Sequence, residues 1–241
     1  MNLITWNMQG SFSYDDSKWT SGVQSLFRMG ADVVCLQECG AVPGSAQLQA
    51  NLGGGMQRYT WGRAHGRSGE LLLHIVFYTP NHSPTERCNM AIVSRAQPGN
   101  PQLLSSLTHI SWRSVVGASF GNTTVFSIHA ISPGGADTRG LLQAVAQAAN
   151  NNNNNNNNAA PSWVVAGDFN RPPDGTFPGF RPNDADANRW ALCPPNSFTH
   201  VGGQGQRTEK DYAVMPAARG VGGSVVTDVI MSDHIPVLFV V

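Results

Sequence analysis

The sequence predicts an α+β sandwich, two packed and mainly antiparallel β-sheets with helices on their outer faces. Three observations predict it. β-rich segments outnumber helical ones by nine to two. Helices are interspersed among the strands instead of alternating with them, which argues against a doubly wound parallel sheet. Gly (26) and Pro (15) are frequent among the 241 residues, as a chain of short elements joined by tight turns requires. No composition break or internal repeat marks a boundary, so residues 1–241 read as one domain.

In chain order the strands are predicted at 2–6, 32–37, 72–78, 89–94, 114–120, 123–129, 162–166, 211–214 and 236–240. Each is β-rich and bounded by Gly, Pro or Asn. The first helix is predicted over 17–29, where Trp19, Val23, Leu26 and Phe27 share one face and Gly30 stops it. The second starts from Asp137, a good helix N-cap, and carries Leu141, Leu142, Val145 and Ala148. Nine consecutive asparagines follow at 150–158. Asn is a poor former of helix and strand, so this run predicts a solvent-exposed, disordered loop inside the domain. A second loop is predicted at 175–188, which is rich in Pro, Gly and Asp and has no periodicity.

Lys plus Arg and Asp plus Glu number 15 each, so the formal net charge is zero. That excludes a broadly basic surface as the source of affinity for a polyanion, but not a local cluster. Of the 15 basic residues only Lys18 and Lys210 are lysine. Arg matches phosphate with its forked donors, although a GC-rich genome yields the same bias. No run approaches the ~20 apolar residues of a membrane-spanning helix. The first residues already read as a strand, so no leader peptide is expected in this chain. Cys35, Cys39, Cys88 and Cys193 lack CxxC spacing, which argues against zinc and leaves one disulfide or none.

The chemistry collects where apolar strands end in a polar residue. Asn7 closes Thr5-Trp6-Asn7. Glu38 follows Val33 to Gln37. His129 closes Phe126-Ser127-Ile128-His129. Asp168 and Asn170 follow Trp163 to Gly167, and Ser232-Asp233-His234 precedes the last strand. Singly, each has an ordinary structural reading as a turn residue, a solvated strand end or a hydrogen-bonded histidine. Their joint occurrence in this order points to a shared cleft.

WNMQG, DVVCLQE, IHA, GDFN and SDHIPV, in this order, resemble the endonuclease/exonuclease/phosphatase superfamily, of which pancreatic deoxyribonuclease is the type member. More specifically, TWNMQGS, NMAIVSR, SIHAISPGGAD, WVVAGDFNRPP and SDHIPVLF resemble the B-subunit family of the cytolethal distending toxins. The resemblance covers Asn7 to Val237. It implies a four-layer α/β/β/α sandwich and a Mg²⁺-dependent phosphodiesterase, with Mn²⁺ or Ca²⁺ as substitutes for Mg²⁺. A hard divalent cation suits the task, because it takes oxygen ligands and stabilises charge developing on phosphoryl oxygens.

The resemblance implies Glu38 as the main metal ligand, with Asn7, Asp233 and Asp168 near it. His234 matches the general base and Asp211 the carboxylate that orients it. His129 matches the histidine that binds phosphate and protonates the leaving group. Asp168 and Asn170 orient the water and the phosphoryl oxygens. Arg113 matches a phosphate-contacting arginine. Arg67 stands near a second such position with a shifted register, and Arg95 and Arg171 are further candidates. Glu70 is a candidate partner of His129, as in the pancreatic enzyme.

The resemblance also implies a DNA substrate, delivery subunits of a toxin complex, secretion, and action in the nucleus of a target cell. GDFNR is also similar to inositol 5-phosphatases, so a phosphoinositide phosphatase is the alternative. The Cys-Asp-Arg signature of those enzymes is absent, with Lys210-Asp211-Tyr212 in its place. A catalytically inactive binding module on this fold is the second alternative, and the complete set of acid, base and ligand residues argues against it.

Overall fold

The computed structural model describes residues 1–10, 17–62, 71–80, 86–108, 113–153, 162–174 and 189–241. The strands are β1 Asn2–Asn7, β2 Val33–Gln37, β3 Gln47–Gly53, β4 Met56–Trp61, β5 Leu73–Tyr78, β6 Met90–Ser94, β7 Gly99–Ser105 and β8 Ser114–Phe120. They continue as β9 Thr123–His129, β10 Ser162–Asp168, β11 Trp190–Cys193, β12 His200–Val201, β13 Arg207–Thr208, β14 Asp211–Pro216, β15 Gly223–Val225 and β16 Val237–Val240. A π-helical stretch, Lys18–Val23, runs into α1 Gln24–Arg28, and α2 spans Thr138–Asn153. No described helix is long and apolar enough to cross a membrane.

Two large sheets carry the fold. One has the order β15-β16-β1-β2-β6-β5-β4-β3, the other β11-β14-β10-β9-β8-β7. Neighbours are antiparallel except for one parallel pair in each sheet, β1 with β2 and β9 with β10. These central strands are buried on both faces, as near-continuous apolar runs require. Leu3, Val33 and Cys35 of the first sheet meet Val116, Val125, Val164 and Ala213 of the second in the core between them. The other face of the first sheet packs on Trp19, Val23, Leu26 and Phe27. The other face of the second packs on Leu141, Leu142 and Val145 of α2. Helix, sheet, sheet and helix therefore stack in the four layers expected.

The short strands β11, β12, β13 and β15 were not expected from the sequence, and three further expectations change. The hairpin β3–β4 and the edge strand β7 were not expected from the sequence. Both are half exposed and polar, and β7 carries Pro101, which only a sheet edge accepts. The asparagine run is not loop from its start, because α2 continues through Asn153. Extending an existing helix is far easier than nucleating one, and the packed turns before it supply the nucleus. Residues 154–158, like the loop expected at 175–188, lie largely or wholly outside the described residues. All four cysteines are free, three buried and Cys88 half-buried.

Arg95 is also relocated. It follows β6 at the end of the sheet where β2 begins. Its guanidinium donates to the carbonyls of Phe27 and Ala31 and lies 5.7 Å from the Phe27 ring. It ties the helical layer to the sheet and stands at the opposite end from Glu38. Arg95→Ala is therefore expected to lower stability by about 1 kcal/mol in chemical denaturation, and to leave phosphodiester hydrolysis unchanged. Loss of hydrolysis at full stability would return Arg95 to the site.

Candidate active site

The two parallel pairs determine where the polar strand ends go. Parallel neighbours end on the same side, so β1 and β2 deliver Asn7 and Gln37 in register, with Glu38 one residue on. In the facing sheet β9 and β10 deliver His129 opposite Asp168, and antiparallel β14 begins with Asp211 opposite Asp168. The packed sheets bring both sets to one mouth. Asn7 Nδ2 donates to Asp168 Oδ2 at 2.9 Å, across the sheets and buried. Deeper in, Gln37 Nε2 donates to Ser127 Oγ at 2.9 Å, a second buried link between the sheets. Gly167 permits the close approach of β10 to β9, since a Cβ there would lie 2.0 Å from the Ile128 carbonyl oxygen.

His234 arrives from the turn before β16. Trp6 Nε1 donates to its carbonyl, its N–H donates to Ser232 Oγ, and Ser232 Oγ donates to the Asn7 carbonyl. Its Nδ1 lies 2.7 Å from Asp211 Oδ2. Its Nε2 is 3.9 Å from Asp168 Oδ2, and His129 Nε2 approaches the same oxygen, also at 3.9 Å. Glu38 Oε1 lies 3.5 Å from His129 Nε2, and Glu38 Oε2 accepts from Arg87 Nε at 2.5 Å. Glu38, Gln9 and Asn170 all hold positive φ values of 49°, 54° and 53°. Such left-handed backbone is unusual outside glycine, and here it clusters at the cleft loops.

Burial sets the protonation preferences. His129 is pushed well below its ordinary pKa by burial, with Arg113, the His234 ring and Arg87 adding to the effect. Burial alone would depress His234 too, but Asp211, Asp168 and Asp233 outweigh it and raise it to about 9. Asp168 is raised to about 6 by burial and by Asp211, against the opposing pull of His234, the Asn170 N–H and Asn7. In the metal-free chain His129 is therefore neutral and His234 charged at pH 7.

The structure brings together Asn7, Glu38, His129, Asp168, Asp211 and His234. Asn170 adjoins them, its N–H on Asp168 Oδ1 and its amide on the Ala130 carbonyl. Arg113 reaches the same strand end, donating to the carbonyls of His129 and Ala130. Asp233 lies beside His200 and His234, and it acts with Glu38 on the Arg87 charge. Neither group of three closely spaced ligand-type side chains among the described residues includes Glu38. Arg171 lies against Gly135 and beside Tyr212, which stacks on Phe169. Arg67 and Glu70 lie outside the described residues.

Two neighbours were missed by sequence reasoning. Arg87 sits in a one-turn helix, Glu86–Cys88, with no strand end to mark it. His200 lies in a two-residue strand, too short to show a period, and its ring centroid is 4.5 Å from that of His234.

The pattern of the Endonuclease/Exonuclease/phosphatase family matches residues 4–234. The chain belongs to that family. It is accordingly a hydrolase of phosphoric ester bonds. A Salmonella typhi homolog of the cytolethal distending toxin B subunit is 30% identical over 98% of this chain and 88% of that protein. A solved structure of the Haemophilus ducreyi cytolethal distending toxin superposes with a TM-score of 0.84 at 29% identity, covering 99% of this chain and 97% of that one. A 3′-5′ exonuclease from Neisseria meningitidis shares the fold, at a TM-score of 0.59 and 17% identity, over 99% of this chain and 98% of that one.

Enzymes of this family generally use a divalent metal. The donor set fits one, since Glu38 offers a carboxylate at the mouth and Asp168 a second behind it, both hard oxygen donors. Asp168 and Asp211 are buried together, and a cation would offset both the burial and the Asp211 charge that raise the Asp168 pKa.

The raised His234 pKa makes a stability prediction with a definite sign. Its contribution is complete below the ordinary value of about 6.5 and is lost as pH rises through about 9. The depressed His129 acts in the other window, below 6.5. In EDTA the melting temperature is expected to fall between pH 6.5 and 9, with the slope reduced in Asp211→Asn. A slope equal in both proteins would contradict the His234–Asp211 pairing.

Proposed function

We propose that the chain is a toxin-type, Mg²⁺-dependent deoxyribonuclease that cuts DNA by attack of water on phosphorus. The observation that carries this reading is the convergence of two buried imidazoles on one carboxylate oxygen, each 3.9 Å from it. A phosphodiester hydrolase needs one group to take a proton and one to give it, both at the same phosphate.

The two histidines divide these tasks by basicity. His234, held by Asp211, is the stronger base and accepts the proton of the attacking water. His129, whose charged form is disfavoured by burial, is the stronger acid once protonated and donates to the leaving oxygen. Its Nδ1 is buried without a hydrogen-bond partner among the described residues. Asp168, fixed by Asn7 and by the Asn170 N–H, orients the water. Arg87 and Arg113 stand where they complement phosphoryl charge. Glu38 and Asp168 would hold Mg²⁺, whose role when bound is to stabilise charge on the phosphoryl oxygens.

Because the relatives include toxin B subunits, we extend the reading to a secreted toxin component that is delivered by companion subunits and acts in the target-cell nucleus. The neutral net charge predicts weak, salt-sensitive binding to DNA by the isolated chain.

Nicking of supercoiled DNA is expected with Mg²⁺, abolished by EDTA, and reduced about 10²-fold or more in His129→Ala and His234→Ala. Phosphate release from a phosphoinositide without nicking would select the phosphatase reading, and retained nicking in both variants would refute the assigned roles. The pH profile tests the direction of transfer. With His234 as acceptor, kcat/KM rises from pH 6.5 along a limb ending at or below about 9, and Asp211→Asn moves that limb to lower pH. Activity that falls across this range would make His234 the donor.

A further inference from the structure

Beside the catalytic mouth stands a group of donors of which the proposed hydrolysis uses only His234. His200 reaches the site because its short strand pairs on both sides. Its register partner in β13 is Thr208, and on the other side it bridges to His234. The Val201 N–H donates to the Asp233 carbonyl, and the Ile235 N–H to the Thr199 carbonyl. The backbone therefore holds the His200 and His234 rings side by side, with Asp233 between their Nε2 atoms. His200 Nε2 lies 3.7 Å from Asp233 Oδ2, and His234 Nε2 lies 3.9 Å from Asp233 Oδ1. The three donor atoms all fall within 4.8 Å of one another.

The outer contacts orient these donors as a metal site requires. His200 Nδ1 lies 3.0 Å from Thr208 Oγ1, and His234 Nδ1 lies 2.7 Å from Asp211 Oδ2. Each ring is thus anchored through Nδ1 and presents Nε2, the arrangement that steadies histidine ligands in metal centres. Gln9 Nε2 donates to Asp233 Oδ2 at 2.7 Å and fixes the carboxylate. Asp233 Oδ1 is buried and has no hydrogen-bond partner among the described residues. A buried carboxylate oxygen left without a donor beside two imidazole nitrogens points to a cation as the missing partner.

We propose that His200, Asp233 and His234 form a second metal site, selective for a nitrogen-preferring transition ion such as Zn²⁺, whose occupation switches the hydrolase off by ligating His234. The regulatory half of this proposal rests on the reading of His234 as a catalytic residue. Two imidazoles and one carboxylate, with water in the fourth position, suit Zn²⁺ and do not suit Mg²⁺, which takes oxygen ligands. Ligands about 2.0–2.1 Å from a tetrahedral ion lie roughly 3.3 Å apart, so the present separations close by small side-chain rotations. The oxygen donors assigned to Mg²⁺, Glu38 and Asp168, are not among these three ligands, so the two ions would not share a ligand. Zn²⁺ on His234 Nε2 occupies the lone pair that must accept the proton of water.

Co²⁺ is the probe, because its visible absorption reports few-coordinate nitrogen and oxygen ligation without any assay of hydrolysis. The full chain in Mg²⁺ is expected to bind one equivalent of Co²⁺ with that absorption, and Zn²⁺ is expected to displace it. His200→Gln, Asp233→Asn and His234→Ala should each lose the band. His200→Gln should keep Mg²⁺-dependent nicking and raise the Zn²⁺ concentration needed for half inhibition by about tenfold or more. No Co²⁺ band in the parent, a band retained in His200→Gln, or equal Zn²⁺ sensitivity in the two proteins would each overturn the site. A His200-dependent band in a chain that hydrolyses no phosphoric ester would keep the site, and would remove the catalytic reading together with the switch.

Discussion

A carboxylate buried between two sheets, Asp168, is the group on which the rest of the architecture depends. It receives an amide from Asn7 of the facing sheet, a backbone N–H from Asn170 and the approach of two imidazoles. That convergence requires both sheets to end their central strands on the same side, which the single parallel pair in each sheet provides. An all-antiparallel arrangement would send Asn7 and Glu38, or His129 and Asp168, to opposite ends. The apolar core between the sheets holds the two halves in register. The buried Gln37–Ser127 link fixes that register near the mouth, where side chains turn from apolar to polar.

Charge is distributed unevenly in a chain whose net charge is zero. Asp168 and Asp211 are almost fully buried within one small volume, and only histidine, arginine and bound cations can offset them there. Burial alone would drive both histidines toward neutrality. The contact of His234 with Asp211 reverses the sign for one ring and leaves the other depressed. A difference in partners therefore turns two chemically identical side chains into a stronger and a weaker base.

Much of this was legible because the central strands are apolar on both faces. A polar residue closing such a run stands out, and Asn7, Glu38, His129 and Asp168 all occupy that position. The outer helices were legible from Trp19, Val23, Leu26 and Phe27 and from the Leu141–Val145 face. What stayed hidden lacks a period. The β3–β4 hairpin is half exposed, Arg87 sits on a single helical turn, and His200 owes its place to pairing with a segment thirty-odd residues away. Arg95 misled because proximity to a motif in sequence says nothing about which end of a strand it occupies. The asparagine run misled in its first turn because residue propensity was weighed without the packed helix that precedes it.

The most direct measurement is a crystal structure of the chain with Mg²⁺ or Ca²⁺ and a non-cleavable oligonucleotide. The account predicts one phosphate whose oxygens lie within hydrogen-bond reach of both His129 Nε2 and His234 Nε2, with the cation on the Glu38 carboxylate. A phosphate bound elsewhere, or one that touches only one of the two histidines, would contradict it.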